Sequence, residues 1–283
     1  MTFLPDLNNR SIAHSQNLFL NSYYSIKMAA MRQPSYRKLK PVLKLILDAL
    51  FPAGCLKCAE PINTPGNLCA KCWPTITFLS TPCCTTCGYP FEFDGGLDLQ
   101  CGNCLRTPPP FRQARSVLKY DAHSRDMILA FKHADQTDRG PSFATWMYRT
   151  APKLVDNCDY ICPVPLHPYR LMKRRFNQSA LLAIELSKLT GRPAIPDLLK
   201  RTRPTRSQGT LSATARHKNV KGAFRATSRH FPKIENARIL LIDDVYTTGA
   251  TVEACSNSLL TAGAQQVDVL TFCRVVRTSN VAI

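Results

Sequence analysis

Two sets of residues in this 283-residue chain have the types and spacing for chemistry, and one of them is Asp243-Asp244-Val245-Tyr246-Thr247-Thr248-Gly249-Ala250-Thr251. Two adjacent carboxylates accept hydrogen bonds well from neighbouring hydroxyls, such as those of a ribose. The loop after them offers converging backbone N–H groups and Thr hydroxyls, the equipment of an anion site. Like charges repel, so the acids and the anion must be kept apart. Asp243 and Asp244 therefore suit a diol, while Thr247, Thr248, Gly249, Ala250 and Thr251 suit a phosphate. The two halves together make a cradle for a ribose 5-phosphate. A buried strand ending in a solvated Asp-Asp turn is the plainer alternative, and it leaves the order of apolar run, acid pair and Thr/Gly loop unexplained.

The other set is cysteine. Of thirteen cysteines, eight fall in C-x-x-C pairs: Cys55 with Cys58, Cys69 with Cys72, Cys84 with Cys87, and Cys101 with Cys104. Each pair can close a tight knuckle on a tetrahedral ion, and two knuckles complete a four-thiolate site. Zinc, one ion or two, is the expected metal; an iron–sulfur cluster, a redox dithiol or structural thiols are the alternatives. Sequential and interleaved pairing both remain open, and Cys83 beside Cys84 is a ninth thiol. The region has too few aliphatic residues for much of a core, so metal would supply folding energy directly.

These sets need a scaffold. Ile239 to Ile242 reads as a buried parallel strand, and Val252 to Ala262 as a helix stopped by Gly263. That strand, loop and helix would aim backbone N–H groups and the helix dipole at the phosphate. Further strands are expected at Arg115–Tyr120, Tyr160–Pro165 and Gln266–Cys273. Helices are expected from Ser124 (as cap) through Phe131, over Ser142–Ala151 and over Gln178–Leu189. Alternating strands and helices predict an α/β fold with a doubly wound parallel sheet. Thr107-Pro108-Pro109-Pro110 reads as a stiff linker and domain boundary. Residues 1–35 read as a disordered leader, or as sequence upstream of a start at Met28 or Met31. Tyr36 to Phe51 has the period of an amphipathic helix, packed on a neighbouring module or, less in keeping with it, on a membrane surface. Residues 36–106 thus form one module with the cysteines, and residues 111–277 the main domain.

Composition narrows the classes. An apolar content of 45% is enough for a core and excludes a wholly disordered chain. No apolar run is long enough to span a bilayer, and no secretory signal pattern is present, which with the cysteine usage predicts a cytoplasmic protein. The formal charge of +18 is uneven: residues 51–110 hold three basic residues against four acids, and Arg170–Arg229 hold fifteen against Glu185 and Asp197 alone. Such density suits polyanions, pyrophosphate or nucleic acid, although a solvated basic face is the bland reading. Two basic loops carry it. One runs from Pro165, Leu166 and His167 through Arg170, Lys173, Arg174 and Arg175 to Phe176-Asn177-Gln178. The other, Arg201 to Gly222, holds Arg203, Arg206, Gln208 and Arg216 and has the length of a mobile lid. With Lys132, these are the candidate pyrophosphate and lid residues. The other cysteines, Cys158, Cys162, Cys255 and Cys273, have apolar neighbours and read as core.

The acidic strand end and its Thr loop resemble the phosphoribosyl pyrophosphate (PRPP) signature of type I phosphoribosyltransferases. Residues 39–274 as a whole resemble the ComF/GntX family. The resemblance rests on the double C-x-x-C module, Pro163-Val164-Pro165-Leu166, Arg174-Arg175-Phe176-Asn177-Gln178, the loop ending at Gly222-Ala223-Phe224, and that signature. Arg175 stands where the family usually has Gly. The resemblance implies a type I phosphoribosyltransferase-like domain after a zinc ribbon, PRPP bound with Mg²⁺, and a link to DNA uptake in natural transformation. Asp243 and Asp244 are then the catalytic acids, with an acceptor that the sequence does not name. A non-catalytic protein of the same fold, binding single-stranded DNA or a helicase of the uptake machinery, is the alternative; a zinc-ribbon scaffold for interactions is a third reading.

Overall fold

A computed structural model describes residues 53–276, apart from 95, 97, 98, 133–136, 168, 170, 173–175 and 205–212, and apart from the side chains of 132, 213 and 214. The leader, the amphipathic helix over 36–51, Arg174, Arg175, Arg206 and Gln208 lie outside the described residues, as does the Lys132 side chain.

The acid pair sits on the central element. β1 (Ala114–Lys119), β2 (Tyr160–Pro163), β5 (Arg238–Tyr246) and β6 (Gln266–Arg274) form a four-stranded sheet ordered β1-β6-β5-β2. Every pairing is parallel. β5 is central and runs nine residues, well past the apolar run that predicts it, because Asp243 and Val245 still pair with Thr271 and Cys273 of β6. Alternation along β5 sends Leu240 and Ile242 to one face and Ile239 and Leu241 to the other. On the first face lie α2 (Ala122–Lys132), α3 (Gly140–Thr150) and α5 (Gln178–Thr190), with Phe131, Phe143 and Leu182 fully buried. The short α4 (Pro152–Asp156) leads into β2.

The second face carries α8 (Ala250–Thr261) through Val252, Cys255 and Leu259. With it sits a small antiparallel pair, β3 (Leu199–Arg201) with β4 (Phe224–Ala226). Helices on both faces make the sheet doubly wound.

The expected strands all form. Two local expectations change. Asp121, not Ser124, caps α2: its Oδ1 accepts from the His123 and Ser124 N–H groups, at 3.0 Å each. Ser124 is the reciprocal partner, its Oγ accepting from Asp121 N–H at 3.0 Å and donating to Lys119 O at 2.7 Å. The described residues of the polar, aperiodic stretch 201–222 include the end of β3 and a helix, α6 (Ala213–Val220). α6 shows little amphipathic period because one buried arginine, Arg216, and Val220 make up its described buried positions. A short α7 (Phe231–Ile234) precedes β5.

From Ala53 onward the residues pack as one compact unit. The segment between the two cysteine tetrads pairs with the outer edge of β1: Leu79 N–H donates to Val117 O at 2.8 Å, and Lys119 N–H to Thr77 O at 2.9 Å. Cys55, Leu56, Leu68, Cys72 and Ile76 belong to the same buried core as the first face of the sheet. A five-residue helix, α1 (Gly102–Arg106), opens the last knuckle, and the proline run follows it. No helix among the described residues is long and apolar enough to cross a membrane.

Candidate phosphate site and metal centres

At the carboxyl end of β5 the chain turns through Thr247, Thr248 and Gly249 into α8. Gly249 caps that helix with φ of 87°, a left-handed conformation that costs other residues. A Cβ there would also lie 2.5 Å from Tyr246 Oη and 2.7 Å from Glu253 Oε1. Glycine is therefore needed twice, for its torsion and for its missing side chain. The turn leaves the first N–H groups of α8 without helical partners, next to the Thr247 and Thr248 hydroxyls. Asp243 and Asp244 stand half-buried just before it.

Asp243 is held in place. Its Oδ1 accepts from Ser179 Oγ at 3.0 Å and from Asp244 N–H at 2.9 Å. Ser179 is itself fixed by the cap of α5: Asn177 Oδ1 accepts from Ser179 N–H at 3.1 Å, and Asn177 Nδ2 donates to Val164 O at 3.0 Å. Val164 N–H donates to Ile242 O at 2.9 Å. Asn177 thus bolts the Pro163-Val164-Pro165-Leu166 loop, the cap of α5 and the acid pair together. Pro165 is buried there and Leu166 half-buried. The Phe176 ring packs edge-on to Phe131, 6.5 Å between centroids, which brings the end of α2 to the same loop. Ser179 was not among the expected site residues; an Asn-x-Ser before an apolar helix signals a cap, and nothing in that pattern shows that the hydroxyl reaches an acid 64 residues on.

The lid candidates divide. Arg203 is exposed, and its NH2 donates to Asn219 O at 3.2 Å and Lys221 O at 2.7 Å, closing the end of α6. Arg216 is buried on α6. Next to it, His217 Nδ1 lies 3.5 Å from Glu253 Oε2. Burial pushes the Glu253 carboxyl up, against the opposing pull of His217. His167 accepts from Tyr169 N–H at 3.3 Å in a local turn.

Both cysteine tetrads assemble, and they pair sequentially. The Sγ atoms of Cys55, Cys58, Cys69 and Cys72 all lie within 4.8 Å of one another, and so do those of Cys84, Cys87, Cys101 and Cys104. The Cys58–Cys69 and Cys87–Cys101 separations of 3.7 Å match the spacing of about 3.8 Å that Zn–S bonds of ~2.3 Å impose on a tetrahedron. Backbone N–H groups point at sulfur, as a thiolate requires: Cys69 N–H to Cys55 Sγ at 3.2 Å, and Cys101 N–H to Cys84 Sγ at 3.3 Å. Burial raises the Cys55 thiol, but the N–H groups of Cys58, Cys69 and Lys57 together outweigh it and hold its pKa at about 6. That lowering favours the thiolate, the form that binds metal. The donor set fits two zinc ions.

One further contact links the second tetrad to the site. Arg274, at the end of β6, donates from NH1 to Cys87 O at 2.6 Å and from NH2 to Cys87 Sγ at 3.4 Å. Its guanidinium also lies over the Tyr246 ring, 4.2 Å from the centroid. A last-strand arginine carried no signal in the sequence.

Known proteins bear on this arrangement. The Double zinc ribbon domain family matches residues 46–105. Competence protein F of Haemophilus influenzae is 30% identical over 77% of this chain and 96% of its own length. The chain belongs to the ComF family. Its other relatives include DNA utilization protein YhgH of Escherichia coli K12, 30% identical over 80% of this chain and 98% of that protein. Competence protein ComFC of Bacillus subtilis is 26% identical over 74% and 84%. Among solved structures, the allosteric regulatory enzyme of purine biosynthesis overlaps 51% of this chain and 30% of its own, at 20% identity and TM-score 0.35. Adenine phosphoribosyltransferase of Saccharomyces cerevisiae overlaps 59% and 81%, at 14% identity and TM-score 0.31.

Proposed function

We propose that this ComF-family chain binds PRPP with Mg²⁺ and transfers its ribosyl phosphate to an acceptor. The observation that carries the reading is the acid pair, held by Ser179 at the end of β5 and followed at once by the Gly249 turn into α8. Asp243 and Asp244 accept from the ribose hydroxyls, and their charge favours the positive charge that develops at the anomeric carbon. Thr247, Thr248 and Thr251, with the N–H groups from Gly249 onward, hold the 5-phosphate. In the displacement the anomeric C–O bond to pyrophosphate breaks, a bond to the acceptor forms, and the acceptor gives up a proton. The basic loop from Arg170 to Arg175 and the lid with Arg206 and Gln208 neutralise the departing pyrophosphate. Mg²⁺, when bound with PRPP, supplies charge compensation for the phosphates. No protein nucleophile is required.

The names of the relatives, competence protein F and DNA utilization protein YhgH, support a place in DNA uptake. They also favour a second reading, in which a PRPP-fold protein binds single-stranded DNA or an uptake helicase through its net charge of +18 without turnover. Calorimetric titration of PRPP and Mg²⁺ into the wild type and into Asp243→Asn/Asp244→Asn separates them. Binding in the wild type and loss in the double variant are expected. No binding to folded, zinc-replete wild type would sink the first reading; salt-dependent DNA affinity indifferent to Asp243→Asn would favour the second.

A further inference from the structure

A groove of about 830 Å³ runs between α8 and the segment from α6 through β4 to α7. On one side α8 lines it with Ala254 and Ser258, small residues one turn apart, so the helix leaves a trough there. On the other side stand the buried Phe224 and Phe231, which is 46% exposed. Lys218, Lys221 and Arg225 are exposed on the same lining, and none of them has an ion pair among the described residues. Glu253 is the one acid among the described lining residues, and its carboxylate faces His217 at 3.5 Å. An apolar trough with a basic rim suits an apolar side chain flanked by carboxylates.

The chain itself carries such a segment. Tyr89 to Gln100 hold Glu92, Asp94 and Asp98 and no Lys or Arg, in a chain of net charge +18. Tyr89, Phe91 and Phe93 form a ladder of rings, with centroids 6.5 Å and then 6.0 Å apart. Tyr89, at its foot, is buried against the second cysteine tetrad. Phe93, at its head, is 42% exposed and lies between the exposed Glu92 and Asp94. Stacking on Phe91 already restricts the Phe93 ring, so little further side-chain freedom is lost when a partner covers it.

We propose that these two surfaces bind each other between copies of this chain: Phe93 enters the groove beside α8, and Glu92 and Asp94 face Lys218, Lys221 and Arg225. Each copy offers one ladder and one groove, so a pair of chains closes about a twofold axis with two identical contacts. The buried rings supply the apolar part of the interface, and the opposite charges set its orientation. The pairing is independent of the PRPP reading, since neither Asp243 nor Asp244 takes part in it.

Sedimentation velocity of the zinc-replete full chain at low salt tests this. A reversible, concentration-dependent dimer is expected, and added salt should weaken it. Phe93→Ser should raise the dimer Kd at least ~10-fold. Two charge reversals give the decisive arm. One variant carries Glu92→Lys and Asp94→Lys, the other Lys221→Glu and Arg225→Glu; all four side chains are exposed, so both variants keep their fold. Each alone should be monomeric, because like charges then meet across both contacts. Mixed in equal amounts, the two should form a heterodimer, because both contacts then join opposite charges. A wild type that stays monomeric at every concentration overturns the proposal and leaves the groove to a partner of another kind. So does a dimer that neither reversal weakens, or a mixture of the two variants that fails to associate.

Discussion

Cys55, Cys58, Cys69 and Cys72 lie against the main core, with Cys58 exposed and Cys55 and Cys72 buried among residues that also cover the sheet. Cys84, Cys87, Cys101 and Cys104 are all buried, in a small cluster of their own with Tyr89. The C-x-x-C spacing is the same in both. What differs is the surrounding shell. Around the first tetrad, Arg139 NH1 donates to Leu56 O at 2.5 Å and Lys57 Nζ to Thr75 Oγ1 at 2.6 Å, contacts that fasten the knuckle to a helix start and to itself. Around the second, Arg274 reaches from Cys87 to Tyr246, beside the Thr247–Gly249 turn. A four-thiolate knuckle is a generic staple, and the groups bonded to its backbone and sulfurs decide what it staples. The first fastens the sheet edge; the second lines a cavity together with Thr247 and Thr248.

Metal removal should give the largest effect. Structural zinc contributes on the order of 10 kcal/mol of apparent folding free energy, so a chelator should release two equivalents and abolish the cooperative melt. An unchanged melt in chelator would remove the premise of the comparison. Next come the two glycines that seat the second ribbon and the loop. Gly88 has φ of 70°, and a Cβ there would meet Ala114 O at 2.5 Å. Gly88→Ala and Gly249→Ala should each cost about 2–3 kcal/mol in urea denaturation, from torsional strain of 1–3 kcal/mol with added crowding. Gly88→Ala should also weaken metal retention at the second tetrad alone, whereas an equal loss at both would blur the distinction.

A smaller effect should come from Glu253. Burial raises its folded pKa, so the carboxyl binds protons more readily folded than unfolded. Its contribution to stability is then greatest below the unfolded value and is lost as pH rises through the folded one. Glu253→Gln should raise Tm by about 2 °C at pH 8, the size of a sub-kcal change in a domain of this length, and the gain should vanish below about pH 4. The smallest change is expected far from both ribbons. Asp159 accepts from Arg238 Nε at 3.2 Å and NH2 at 2.8 Å, and these contacts lower its pKa. That stability is present above the unfolded value and lost as pH falls through the folded one. Because the pair is partly exposed, Asp159→Asn should cost no more than about 0.3 kcal/mol at pH 7, checked by chemical denaturation at pH 7 and pH 3.

Much of this was legible in the residues. The apolar run Ile239–Ile242 followed by two acids located the central strand, because a run buried on both faces has only a parallel sheet to occupy. The C-x-x-C pairs announced their sites because thiolate spacing is a local property. Long-range partners were not legible. Ser179 and Arg274 act through contacts that bring together β5 with α5 and β6 with the ribbon, and no window of sequence contains both ends. α6 escaped notice because its described buried positions are few and one is an arginine, so hydrophobic period had little to register.

The most direct test of the division between the tetrads compares PRPP affinity in two variants, Cys58→Ser and Cys104→Ser, each folded and carrying one zinc. The first should bind PRPP and Mg²⁺ within about 3-fold of wild type, and the second at least ~10-fold more weakly, a difference of ~1.4 kcal/mol or more. Equal affinities in the two variants would contradict the account, since the second ribbon would then be a staple like the first.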